Sequence, residues 1–155
     1  MASSILQNLS WDSVAGRIRV LFKDGGGSKL IPDTETGSFV ATFTQSGGYS
    51  AQPTILYTRI GDVVHLWIPK FIANSTAANT IDTAAGAVPV SLRPSAPRNL
   101  ICFARSGALS RASVMIIHID GSLNLYWIVG DAFAAFPIST GSSGLGQDLP
   151  TSYIK

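Results

Sequence analysis

"SVMIIHIDGSLNLYWIV", Ser113 to Val129, decides the fold class. Two runs rich in β-branched and aromatic residues flank Asp120-Gly121-Ser122, a three-residue hairpin loop whose glycine is free to take positive φ. Pairing Ile119 with Leu123 sets Met115, Ile117, Ile119, Leu123, Leu125 and Trp127 on one face, because side chains alternate along a strand. That face reads as core. Val114, Ile116, His118, Asn124, Tyr126 and Ile128 share the other, which is mixed yet too apolar for open water. A sheet with one clean core face and one semi-apolar face suits an oligomer, and Tyr126 becomes a candidate subunit contact.

The rest of the chain repeats this grammar. "RIRVLF", "SFVATFT", "TILYTRI", "VVHLWIPKF", "AVPVSL", "NLICFAR" and "TSYIK" are further short β-rich runs. Turn residues separate them at strand-length intervals, and no window holds apolar residues at helical spacing for three turns. The pattern predicts an all-β, antiparallel sandwich or barrel. Residues 1–37 read differently: "KDGGGSK" is a flexible break and "LIPDTETG" a Pro-bearing turn. They form either an anchoring or stem segment ahead of a β-sandwich head at 38–155, or one more strand, "RIRVLF", of the same sandwich.

Composition narrows the partners. At 155 residues the chain has the size of one domain. Charged residues make up 13%, about half the usual share. Mean hydropathy is +0.29, so part of the surface is expected to lie against copies of the chain. The 11 basic and 9 acidic residues are scattered, without the basic block that tracks a phosphate backbone, which argues against nucleic acid. No segment approaches the length of a membrane span, and the start lacks a basic region followed by an apolar run, so neither membrane insertion nor secretion is expected.

In "ILYTRIGDVVHLWIPKF", Ile55 to Phe71, Gly61-Asp62 permits a hairpin or a strand running straight through. Alternation assigns Val64, Leu66 and Ile68 to the core, and Val63, His65 and Trp67 to the opposite face. The second set is too large and apolar for water. His65 and Trp67 are therefore expected against a neighbouring subunit, or under a covering segment such as the first 37 residues.

No set of residues spells out a reaction, so no catalytic residue, metal or cofactor is expected. His65 and His118 each stand among apolar neighbours, where metal binding needs several convergent ligands. Asp24, Asp62, Asp120 and Asp131 adjoin glycine and read as turn formers rather than paired acid–base carboxylates. Cys102, the one cysteine, reads as a small buried hydrophobe. "GSSGLG", Gly141 to Gly146, lacks the Lys-Ser/Thr ending of a phosphate loop and reads as a mobile loop. Arg105 and Arg111 bracket a Ser/Gly loop and are candidates for holding an anionic sugar, since guanidinium groups grip carboxylates bidentately.

Three stretches in order, "ILYTRIGDVVHLWI", "AVPVSLRPSAPRNLI" and "VMIIHIDGSLNLYW", together with a terminal "SYI", resemble segments of the C-terminal head domains of phage tail fibres and related viral fibre proteins. The resemblance covers about Gly37 to Lys155. It implies a jelly-roll-like sandwich similar to the tumour-necrosis-factor superfamily, usually trimeric. It further implies a place on the virion, with other virion proteins contacted through the N-terminal segment. A host-surface glycan or protein receptor would be bound on loops, with Tyr49, Arg105 and Arg111 as candidates. The alternative is a purely structural capsid or decoration protein.

Overall fold

The computed structural model describes residues 6–12, 17–22, 28–30, 34–45, 48–74, 80–129, 132–136 and 142–155. All strand pairings among them are antiparallel, in three sheets. β1 (Leu6–Asp12), β2 (Arg17–Phe22) and β3 (Ser28–Leu30) form a small sheet, so "RIRVLF" is its middle strand and joins neither of the two larger sheets.

A four-stranded sheet runs β16-β8-β7-β4, from β16 (Leu149–Ile154) through β8 (Val63–Ile68) and β7 (Thr54–Ile60) to β4 (Thr34–Val40). A nine-stranded sheet runs β6-β5-β10-β13-β12-β11-β15-β9, with β14 (Ala132–Ala134) also on β13. Its members are β5 (Phe43–Gln45), β6 (Tyr49–Ala51), β9 (Phe71–Asn74), β10 (Ile81–Thr83), β11 (Arg98–Ser106), β12 (Leu109–Ile117), β13 (Leu123–Val129) and β15 (Ser142–Leu145). Its edge strands β6 and β9 lie side by side, so the sheet curls nearly shut. The result is the jelly-roll-like antiparallel sandwich expected from sequence. No helix among the described residues is long and apolar enough to cross a membrane.

The core forms where the two larger sheets face each other. Ile55, Val64, Leu66, Ile68 and Tyr153 of the four-stranded sheet join Cys102, Met115, Ile117, Leu123, Leu125 and Trp127 of the other in one buried cluster. Fully burying an aliphatic side chain of this kind contributes about 1.5–3 kcal/mol, so the sheet-facing alternation holds the fold together. Aromatic rings close the ends: Phe43 stacks on Phe71 at 4.2 Å, and Trp127 tilts against Phe136 at 5.2 Å.

Several local expectations change. Gly61-Asp62 is a hairpin turn joining β7 to β8, with φ of +60° at Gly61 and Ile60 paired to Val63. Positive φ at the first central position alone is the type II′ pattern, whose twist suits paired strands. The β12–β13 hairpin pairs Ile117, not Ile119, with Leu123, and its loop spans His118–Ser122. A two-residue shift preserves which face each residue takes, so the core face is as expected except for Ile119, which is exposed.

"VVHLWIPKF" and "SFVATFT" each break, at Pro69-Lys70 and at Ala41-Thr42, and their two halves belong to different sheets. "AVPVSL" is no strand: Val90–Leu92 forms a 3-10 turn after Pro89. Thr34–Gly37, read as part of a turn, opens β4.

"GSSGLG" is not a mobile loop over Ser142–Leu145. These residues are β15, paired to β11 on one side and β9 on the other. Gly144, at φ +148°, passes so close to β9 that a Cβ would lie 2.1 Å from the Phe71 carbonyl oxygen. Glycine is there because backbone meets backbone.

Candidate functional site

β4, β7, β8 and β16 each turn alternate residues outward, and the cross-strand register assembles them into rows. Ser38, Leu56, Trp67 and Pro150 make one row; Thr36, Thr58, His65 and Ser152 the next; Thr34, Ile60, Val63 and Ile154 the third. Val40 extends the face beside Thr54. None of these side chains is an acid, a lysine or an arginine.

The face is also apolar and open. Trp67 is 46% exposed, Leu56 52%, Val40 56% and Ile154 62%. An open groove of about 420 Å³ runs over Leu56, Thr58, His65, Trp67, Pro150 and Ser152. Isolated exposed hydrophobics are ordinary, but a contiguous uncharged sheet face is a mark of an interaction surface.

The charges of these strands are turned the other way. Glu35 and Arg59 pair across β4 and β7, with Nη2 of Arg59 3.1 Å from Oε2 of Glu35. Tyr57 donates its hydroxyl to Oε1 of Glu35 at 2.8 Å, and that hydrogen bond raises the phenol pKa above its ordinary value. Opposite Tyr57 stands Gly37, where a Cβ would come within 3 Å of the phenol ring. Glycine there lets the ring lie against the β4 backbone and reach Glu35.

His65 and Trp67 thus stand together on an open face, and no described segment of the chain covers Trp67. Tyr126 lies elsewhere. It points outward from the nine-stranded sheet, half-buried and stacked on Phe133 at 5.7 Å, on the far side of the sandwich. It shares no patch with His65 and Trp67.

The three receptor candidates also separate. Tyr49 is no loop residue: it begins β6 and is 2% exposed, its ring turned into the core because β6 alternates inward at that position. Burial holds its phenol well above the usual range. Arg105 and Arg111 are both exposed on the β11–β12 hairpin, but Arg105 pairs with Ser110 and Arg111 with Ala104, which sends their side chains to opposite faces. Arg105 donates Nε–H to the Gly107 carbonyl at 2.7 Å, bracing its own turn. The two guanidinium groups are not brought together as one clamp.

Asp62 and Asp120 sit in turns as expected. Asp120 accepts hydrogen bonds from the Ser122 amide and hydroxyl, which lower its pKa. Asp24 and Asp131 lie outside the described residues. Cys102 is buried, and desolvation pushes its thiol up to about 12, away from thiolate chemistry. Among the described residues no three or more His, Cys, Asp or Glu converge to hold a metal ion. Sequence reasoning missed a hydrogen-bonded polar cluster at Thr80, Asp82 and Asn124, because β10 is only three residues long.

This architecture has a solved counterpart. The chain is similar to a reovirus attachment protein, sigma1, solved in complex with alpha-2,3-sialyllactose, at a TM-score of 0.50 and 13% sequence identity. The match covers 99% of this chain and 78% of that one. At that identity the likeness is one of fold. By sequence, no protein-family model and no curated protein matches the chain.

Proposed function

We propose that this chain is the self-associating, receptor-binding domain of a viral attachment protein, displayed on the virion and engaging a host-surface glycan or protein receptor without catalysing a reaction. The observation that carries the reading is the uncharged outer face of the four-stranded sheet, on a fold shared with a viral attachment protein. Leaving Trp67, Leu56, Val40 and Ile154 in water costs roughly 25 cal/mol for each Å² that a neighbouring copy would cover.

The occupant of this face is a second copy of the chain. A surface this poor in charge offers a foreign partner nothing to be steered by, whereas identical copies meet it at high local concentration in a fibre. The ordered motifs of phage-type fibre heads favour a trimer. Its head begins at β4, with Thr34, rather than at residue 38, and the residues before β4 join it to other virion proteins.

The test pairs the mass of the purified chain by solution scattering with its binding to host cells and to a glycan array. Three chains per particle and saturable binding are expected. A monomer at micromolar concentration sinks the assembly. An oligomer that binds neither cells nor glycans supports the structural capsid or decoration role instead.

A further inference from the structure

The outer face of the nine-stranded sheet carries a row of polar residues at right angles to its strands. Ser50 of β6 pairs with Thr44 of β5, Thr44 with Asp82 of β10, and Asp82 with Asn124 of β13. The row continues through Ile116 of β12 to Asn99 of β11. At its centre both carboxylate oxygens of Asp82 are engaged. Oδ2 accepts the Thr80 hydroxyl at 2.6 Å, and Oδ1 accepts Nδ2–H of Asn124 at 2.6 Å.

These bonds fix the carboxylate without exhausting it. An ionised carboxylate offers about four lone-pair sites, so two stay open, and the Asn124 amide keeps a second N–H and a carbonyl. Asp82 and Asn124 are half-buried, while Thr44 and Ser50 are exposed, so the open valences face solvent. Two residues along β13 on the same face, about 7 Å away, stands Tyr126, its ring stacked on the half-exposed Phe133. A rigid carboxylate–amide pair beside an aromatic shelf is what a pyranose needs: vicinal hydroxyls donate to the acid and accept from the amide, and the ring's C–H face lies on the aromatic.

Charge selects among sugars. Among the described outward-facing strand residues of this sheet the sole cation is Arg105, already hydrogen-bonded within its own hairpin. A carboxylate with no free cation beside it repels a carboxylated sugar. We infer that Asp82, Asn124 and Tyr126 form a binding site for a neutral hexose, and that this site discriminates against sialylated glycans. The inference rests on the receptor-binding reading above and names the ligand class.

The experiment is a glycan array of the full chain, carrying neutral and sialylated glycans, repeated with Asp82→Asn, Thr44→Arg and Trp67→Ala. Thr44→Arg sits at an exposed position and brings a cation across the Asp82 carboxylate, so it blocks the site without hollowing the core. Expected are signals on neutral hexose glycans, at least tenfold weaker in Asp82→Asn and Thr44→Arg, with thermal midpoint and far-UV spectrum unchanged in Thr44→Arg. Neutral-glycan binding that both variants retain, or lose only through Trp67→Ala, overturns this site and leaves the receptor-binding reading standing. Binding confined to sialylated glycans does the same. Absence of binding to any glycan overturns the site, and absence of binding to host cells as well overturns the broader reading.

Discussion

Tyr153 donates its hydroxyl to the Leu92 carbonyl 2.5 Å away, tying the last strand to a 3-10 turn 61 residues earlier. The bond is buried, and the turn it holds has no strand partner of its own. Removing a donor from a buried carbonyl costs about 1–3 kcal/mol. Tyr153→Phe is therefore expected to lower the urea midpoint with an unchanged slope, since the packing of the ring is retained.

The same residue contributes to alkaline sensitivity. Burial raises the Tyr153 phenol from 10.0 to about 12, and the Cys102 thiol from 9.0 to about 12. Both groups stay neutral in the folded chain at a pH where the unfolded chain has already lost their protons. Their share of stability is present below pH 9–10 and is lost as pH rises through about 12. Urea midpoints measured across that window should fall steeply, and the fall should be shallower in Cys102→Ala and in Tyr153→Phe.

Gly144→Ala tests the backbone crossing at β15. The new Cβ meets the Phe71 carbonyl at 2.1 Å and the Tyr49 hydroxyl at 2.9 Å, so β9 or β6 must move. Overpacking of this sort costs about 1–3 kcal/mol. A lower thermal midpoint is expected, with faster amide exchange in β9; an unchanged midpoint would mean that the crossing is looser than described.

Gly121→Ala tests how the long loop before β11 is pinned. At φ +82°, a Cβ would lie 2.6 Å from Nε of Arg93 and 2.7 Å from the Val88 carbonyl, the pair already joined by a 2.9 Å hydrogen bond. The Val88 amide donates to the Gly121 carbonyl at 2.8 Å, so its exchange rate reports the docking directly. Faster exchange at Val88, with the β7–β8 hairpin unaffected, is the expected outcome.

Leu56→Glu and Trp67→Ala bear on assembly. Leu56 and Trp67 pair across β7 and β8 on the uncharged face. A buried tryptophan anchor is worth on the order of 2 kcal/mol or more at an interface, and an unpaired carboxylate there costs more still. Both variants should sediment as smaller particles while retaining the wild-type far-UV spectrum. Oligomers that survive both substitutions intact would place the subunit contact elsewhere.

β8 and β13 were legible because each buries alternate residues along one face. Val64, Leu66 and Ile68 alternate with Val63, His65 and Trp67 over enough positions to give a period. Short strands carry no such signal: β6, β10 and β14 each hold three residues and exist because a neighbour supplies their hydrogen bonds. "SSGL" reads as loop until the approach of Phe71 explains its glycine. Tyr49 looked exposed because Gly47, Gly48 and Ser50 surround it, while its ring turns inward. The outer face at His65 and Trp67 was legible from alternation alone. The row through Asp82 was not, since three stretches distant in sequence, β5–β6, β10 and β11–β13, meet there.

The side-by-side approach of β6 and β9 has a consequence for strand addition and proteolysis. A sheet that curls back on itself exposes little unpaired backbone at its margin, and unpaired margins are where foreign strands add and where proteases thread a chain into their clefts. In the four-stranded sheet the Ile154 carbonyl, on the β16 side, is capped by Nη2 of Arg98 at 2.8 Å. The closure of the larger sheet thus leaves fewer open margins to added strands and proteases through geometry alone.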